Sequence, residues 1–229
     1  VENSSVEGGD VVIDDSISIV DTWKAMTKLP KSKARAVGVS NHKIEHVSLS
    51  PLPSWNPPKP ITNNISLSQL EAIINATGVV PAANQIERHP LLQSNDLIEY
   101  CQKKGIHVTA YSAFGNNMIG EPLLITRPEV KEVAEEASKR LGKTVTPAHV
   151  ILAWSQVGGH SVIPKSVTPS RIVDNFQEVE LTPEEIAKVS ALGNNRRRYN
   201  IPYTANKPRW NIDIFNEPEE KPAGHKVIV

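Results

Sequence analysis

Lys165, Ser166, Thr168 and Arg171 crowd into one short stretch, directly after the apolar pair Val162-Ile163. Two cationic side chains and two hydroxyls suit a phosphate, because charge-assisted hydrogen bonds are the strong ones. Thr168-Pro169 reads as an N-cap and a first-turn proline. The helix they open carries Ile172, Val173 and Phe176 on one face, so free N–H groups and a helix dipole join the cations. A surface strand-to-helix turn with solvated cations fits this stretch equally well. Polar residues close three other apolar runs: Ser40-Asn41 after ARAVGV, Gln85 and Glu87 in VVPAANQIE, and Tyr111-Ser112 after His107–Ala110. Taken alone, Ser40-Asn41 reads more readily as a polar turn than as a binding element.

The elements that position these residues alternate. Strands are read near residues 34, 79, 106 and 161, each followed by a helical pattern. Asp15-Ser16 opens a helix with Ile19, Val20, Trp23 and Met26. A second helix, capped around Ser94–Asp96, carries Leu97, Ile98 and Cys101 and stops at Gly105. Glu129–Leu141 is amphipathic, Thr146-Pro147 caps the next helix, and Thr182-Pro183-Glu184-Glu185 is a capping box. Such alternation implies a parallel sheet with covering helices, and ligands then sit at the carboxyl ends of the strands. Periodicity leaves open whether four strands form an open sheet or half of a barrel. The glycine pattern of the usual dinucleotide fold is absent.

One segment breaks the order. Residues 48–68 hold five prolines, which forbid a regular helix or a central strand. Around it, Ile44–Val47 looks like the start of a helix that resumes at Leu70. A functional surface excursion and translated non-coding sequence both account for it. Residues 1–15 read as a loop or disordered end, and residues 194–229 as an irregular polar tail.

Composition narrows the class. The chain has 229 residues, 39% hydrophobic, with Lys+Arg and Asp+Glu balanced at 25 each. That balance argues against nucleic-acid or membrane-surface partners. One cysteine, Cys101, excludes a disulfide framework. No apolar run reaches the ~18 residues of a membrane span, and residues 1–20 do not resemble a signal peptide. The expectation is a cytoplasmic protein. The histidines show no metal-ligand spacing.

Four motifs together resemble the aldo-keto reductases: Ala36-Val37-Gly38-Val39-Ser40-Asn41, Asn84-Gln85-Ile86-Glu87-Arg88-His89-Pro90, Ala110-Tyr111-Ser112-Ala113-Phe114-Gly115, and Ile163-Pro164-Lys165-Ser166 with Arg171 and Asn175. Their order and spacing are the family's, apart from the insertion, over roughly residues 16–215. The tail from Arg197 to Asp213 is similar to fungal members related to glycerol dehydrogenases and aldehyde reductases. The resemblance implies an α/β fold, a (β/α)8 barrel of which residues 16–193 supply strands 5–8 with their helices. The N-terminal half would be absent, and residues 194–229 would be the substrate loop.

It also implies NADPH-dependent reduction of a small aldehyde or ketone to an alcohol. By resemblance, Ser40, Asn41 and Gln85 bind the nicotinamide carboxamide and Tyr111 stacks on its ring. Ser112, Phe114 and Asn116 follow the pyrophosphate. Lys165, Ser166, Val167 and Arg171 take the adenosine 2′-phosphate, with Asp174 and Asn175 near the adenine. Tyr203, Trp210 and Phe215 would wall the carbonyl pocket, or equally anchor the tail. Two departures, His42 in place of an aromatic residue and Met118 in place of an acidic one, bear on how firmly the cofactor is held. The family's Asp, Tyr, Lys and His tetrad lies on strands that would precede Val1. No catalytic residue is therefore expected here, His89 reads as structural, and the isolated chain is expected to be inactive. The competing expectation is a non-catalytic nucleotide-binding half-barrel or partner-binding fragment, with a second chain covering its strand edges.

Overall fold

A computed structural model describes residues 6–7, 9–44, 69–115 and 119–229. Segment 48–68, residues 45–47 of the helix start expected over Ile44–Val47, and Asn116 and Met118 lie outside the described residues, and Ile44 itself is not helical. The chain opens with a hairpin, β1 (Val6–Glu7) and β2 (Asp10–Val11), where a loop was expected. Arg209 of the tail grips its Asp10 through two contacts of 2.6 and 2.9 Å. Helix α1 (Ile19–Thr27) is capped by Ser18, not by Asp15-Ser16. Asp14 draws Ser16 into a turn of its own, and the Ser18 hydroxyl accepts the Asp21 N–H at 3.1 Å.

The central sheet contains β3 (Val39–Ser40), β4 (Ala83–Glu87), β5 (His107–Tyr111) and β6 (Ser161–Val162), parallel and in sequential order. Helices α2 (Gln69–Thr77) and α3 (Asn95–Lys104) connect the first three strands. Helices α4 (Pro128–Leu141) and α5 (Pro147–Gln156) precede β6, and α6 (Pro169–Asp174) and α7 (Pro183–Ser190) follow it. Right-handed crossovers that always advance to the next strand place their helices on one face. Burial alternates accordingly: Asn84, Ile86, Val108 and Ala110 are buried, whereas Gln85 and His107 on the other face are exposed.

Two cores lie on the helical side. Trp23, Leu70, Ile73, Ile86, Cys101 and Val108 form one. The other gathers α4, α5 and α7 around Val130, Val133, Val150, Ile151, Trp154 and Val189. Pro128 and Pro147 each stand in the first turn of their helices, where a missing N–H removes no helical bond. Ser94 precedes α3 in a left-handed conformation (φ 54°) and makes no side-chain cap, so only the position of that cap was legible.

Three other expectations need correction. The strand read over residues 34–39 pairs only at Val39 and Ser40. The apolar stripe expected on the helix after Thr168 is not a buried face: Ile172 is 45% and Val173 74% exposed on α6, and Phe176, beyond its end, is 84% exposed. Among the described residues β6 ends the sheet, so no further strand pairs beyond it. The tail, finally, is ordered. It forms α8 (Pro202–Ala205) and a small parallel pair, β7 (Ile212–Asp213) with β8 (His225–Lys226), and buries Tyr199, Ile201 and Phe215.

The approach to β3 depends on Gly38. A Cβ there would stand 2.8 Å from the Ala83 carbonyl oxygen, which belongs to the neighbouring strand. Gly38→Ala should therefore lower stability by about 1–3 kcal/mol, read as a reduced urea midpoint. An unchanged midpoint would show that β3 can move away freely.

Candidate nucleotide-binding site

Parallel strands end together, and the polar residues singled out above lie along that shared edge. Register sets Ser40 beside Gln85, Gln85 beside Thr109 and Thr109 beside Ser161, all on the face opposite the helices. Glu87 and Tyr111 form the next row up. Three interstrand gaps separate β3 from β6, roughly 14 Å at ~4.8 Å each, so the two ends of a dinucleotide can rest on different strands.

The β3 end is pinned tightly. The Ser40 hydroxyl and the Asn41 N–H both donate to the Gln85 carbonyl, at 2.9 Å each. Asn41 turns left-handed (φ 60°), a conformation asparagine tolerates better than most residues. Buried Asn84 donates to the His42 carbonyl at 2.9 Å and fixes the following residues. The Tyr111 hydroxyl reaches across β4 and donates to Asn41 Oδ1 at 3.0 Å. Burial and the Glu87 charge push the Tyr111 phenol up to about 12, although Arg198 and Asn41 oppose them. Tyr111 thus stays neutral at physiological pH, and the Asn41 Nδ2 donor remains uncommitted among the described residues.

Beyond β5, Ser112 also turns left-handed (φ 51°), and its carbonyl accepts the Gly115 N–H at 2.8 Å. Phe114 packs its ring against the core, and its carbonyl accepts Leu124 N–H at 2.8 Å. The expected contact of Asn116 lies outside the described residues.

The β6 end differs in character. Lys165 and Arg171 are exposed and make no side-chain ion pair or hydrogen bond among the described residues. The Ser166 hydroxyl accepts the Thr168 N–H at 3.1 Å, so Thr168 occupies the cap position without capping through its side chain. Val167 is 80% exposed. Helix α6 is a short six-residue helix, which leaves the two cations as the main attraction for an anion. Asp174 is engaged elsewhere, with Oδ2 3.1 Å from His149 Nε2 and Oδ1 accepting from Gln177 at 2.6 Å. His149 is itself buried in a capping box, with Nδ1 accepting the Thr146 N–H at 3.1 Å. Asn175 closes α6, its N–H bonded to the Arg171 carbonyl at 2.9 Å.

The three tail aromatics part company. Phe215 is buried beneath the Arg198 guanidinium, 3.9 Å from its ring centroid, and lines a cavity of about 20 Å³ with Asn41, Ile86 and Glu87. That volume suits one water molecule, not a carbonyl substrate. Tyr203 stacks under Arg209, which holds the N-terminal hairpin, and Trp210 is 42% exposed.

Sequence reasoning gave Glu87 no role, yet it is the most connected residue at this edge. It is 1% exposed and accepts the N–H groups of Tyr199 at 2.7 Å and Asn200 at 3.0 Å. His89, fully buried, places Nε2 2.9 Å away. Burial raises the Glu87 carboxyl, but the His89 ring and the two backbone donors outweigh it and hold the group below its ordinary range. The usable signal was positional, because Glu87 closes the same strand face as Gln85.

Residues 10–194 match the sequence profile of the Aldo/keto reductase family. The chain is 57% identical over 225 residues to the D/L-glyceraldehyde reductase of Hypocrea jecorina, covering 98% of this chain and 61% of that protein. Among solved structures, an aldose reductase from Giardia lamblia superimposes with a TM-score of 0.69 at 26% identity, over 93% of this chain and 61% of that one. A mutant of the protein Gox0644, solved in complex with NADPH, matches with a TM-score of 0.57 at 30% identity, over 82% of this chain and 58% of that one. The chain thus spans about three-fifths of the length of these relatives. No helix among the described residues is long and apolar enough to cross a membrane.

Proposed function

Because this chain belongs to the aldo/keto reductase family, we propose that it serves NADPH-dependent reduction of a small aldehyde or ketone to an alcohol. The observation that carries the reading is the shared strand edge. It has an amide and hydroxyl cluster at β3 and β4, and two cations after β6 that no carboxylate compensates among the described residues. The donor set fits the cofactor. An amide donor at Asn41 and the exposed Gln85 suit a carboxamide, and Lys165 with Arg171 suits a 2′-phosphate. NADPH would supply the hydride.

The chain's own residues bind and orient. Ser40 and Asn41 are locked onto the Gln85 carbonyl, so the carboxamide end meets a rigid surface. Tyr111 presents a neutral ring beside Asn41, suited to stacking. Ser112 and the Phe114 backbone form the turn that follows, where we place the pyrophosphate together with Asn116. Lys165, Ser166, Val167 and Arg171 receive the 2′-phosphate. Asn175 flanks the adenine, and Asp174 holds α6 in place through His149. We place Phe215 at the nicotinamide end, and Tyr203 and Trp210 on the outer part of the carbonyl pocket. We assign the proton-donor role to none of the described residues; the Tyr111 hydroxyl is engaged in donating to Asn41 Oδ1.

The sequential sheet, with one face open, supports reading these strands as four consecutive strands of a (β/α)8 barrel. Nothing in the matches to relatives calls for a second chain at its edges.

The test is titration of the purified chain with NADPH, followed by cofactor fluorescence, alongside loss of NADPH absorbance with a small aldehyde. Saturable binding is expected. Absence of binding would overturn the cofactor assignment, and turnover would overturn the exclusion of a proton donor. Binding without turnover is the result that the nucleotide-binding alternative shares.

A further inference from the structure

The N–H groups of Tyr199 and Asn200 converge on a single buried carboxylate more than a hundred residues earlier in the chain. Glu87 sits on the open face of the sheet, in register with Tyr111 and two residues beyond Gln85. Its two oxygens accept different donors, Tyr199 N–H on Oε1 and Asn200 N–H on Oε2. Arg198, the residue before them, places Nη1 3.9 Å from Glu87 Oε2 and Nε 3.0 Å from Glu217 Oε1. Glu217 also takes both terminal nitrogens of Arg196, at 2.9 and 2.6 Å. The Arg198 guanidinium in turn covers Phe215, whose N–H is held by buried Glu220 at 2.9 Å. A continuous chain of contacts therefore runs from the end of β4 to the Phe215 ring, which lines one small cavity with Asn41.

We propose that Glu87 is a positioning residue: its carboxylate docks the C-terminal tail over the ends of β3 and β4 and so sets Arg198 and Phe215 beside Asn41. The inference rests on the preceding functional reading only for what the tail is placed over. The chemistry demands a carboxylate. Two backbone donors on two separate oxygens satisfy both, whereas a glutamine would turn an NH2 group toward one of the N–H groups and leave it buried and unpaired. The groups facing Glu87 are His89 on its own strand end, Arg198 from the tail and Tyr111 from β5. The sign of its pH dependence follows. Its carboxyl lies below the ordinary range in the folded chain, so its contribution is complete above that range and is lost as pH falls through the folded value.

Glu87→Gln is tested by amide hydrogen exchange, using protection factors that remove the intrinsic pH dependence. Protection at Tyr199, Asn200 and Phe215 is expected to fall at least tenfold, with the amides of α4 unchanged. Loss at α4 to the same extent, or no loss in the tail, would overturn the proposal. The unmodified protein gives a second measurement that needs no variant. As pH is lowered from 7, protection at Tyr199 and Asn200 should disappear before that of α4. Simultaneous loss, or tail protection that survives after the core opens, would overturn it. NADPH titration of the same samples separates the two readings. Failure to bind with the tail behaving as expected sinks only the cofactor assignment, and binding with an unresponsive tail sinks only the role of Glu87.

Discussion

Replacing Arg171 with Met should weaken NADPH by about 1.5–3 kcal/mol, roughly ten- to hundred-fold in Kd, and leave NADH nearly unchanged. The two cofactors differ only at the 2′-phosphate, which is where we place this guanidinium. Arg171 has no competing carboxylate among the described residues, so the substitution breaks no internal ion pair. It is also exposed on a six-residue helix with no buried residues, so stability should stay within about 0.5 kcal/mol. Fluorescence titration with each cofactor reads the outcome. An equal loss for both would place the 2′-phosphate elsewhere. Met is the suitable replacement because it keeps the length of the stem and removes only the charged fork.

The largest effect on stability is expected at Trp154, where Trp154→Ala should lower unfolding free energy by about 3–5 kcal/mol. The side chain is 3% exposed in the core shared by α4, α5 and α7. Its Nε1 donates to the Ser190 hydroxyl at 2.9 Å, tying α5 to α7. The ring also lies 4.5 Å from the Arg88 guanidinium, which donates to the Ser155 carbonyl at 2.9 Å. Burial has already drawn Arg88 down to about 10, so the cation is held at a disadvantage that the ring face offsets. Removing the ring leaves a void and an under-compensated charge together. Trp154→Phe keeps a ring over Arg88 and loses only the N–H bond and some area, so it should lose about half as much. Urea unfolding measures both, and a loss below about 1 kcal/mol for Trp154→Ala would show that the core closes over the gap.

Local chemistry was legible where the signal is local. Thr182 and Glu185 form their capping box, and Thr146 caps α5 with a histidine in the third position. The ends of β4 and β5 could be read because apolar alternation stops at polar residues there. Ser40-Asn41 showed as a motif, although β3 itself shrank to one pair of residues. What the sequence hid depends on distance along the chain. Glu87 is tied to the tail through Tyr199 and Asn200, and no periodicity connects residues so far apart. Phe215 and Trp210 looked alike as tail aromatics, yet one is buried beneath Arg198 and the other half-exposed. The α6 stripe looked like a core face because its spacing is helical, and spacing does not reveal whether a partner lies opposite.

The way the tail is tied down has a kinetic consequence. Neighbouring strands such as β4 and β5 are joined through one short helix, so their pairing closes small loops. The Glu87–Tyr199 contact spans 112 residues and the Asp10–Arg209 contact spans 199. Loop closure grows more costly with length, and distant contacts form after near ones. The sheet and the core around Trp23, Leu70 and Val108 can therefore assemble before the tail docks, whereas the core around Trp154 also takes in Tyr199 of the tail. The edge where the cofactor is placed is completed last, when Tyr199 and Asn200 reach the carboxylate that waits at the end of β4.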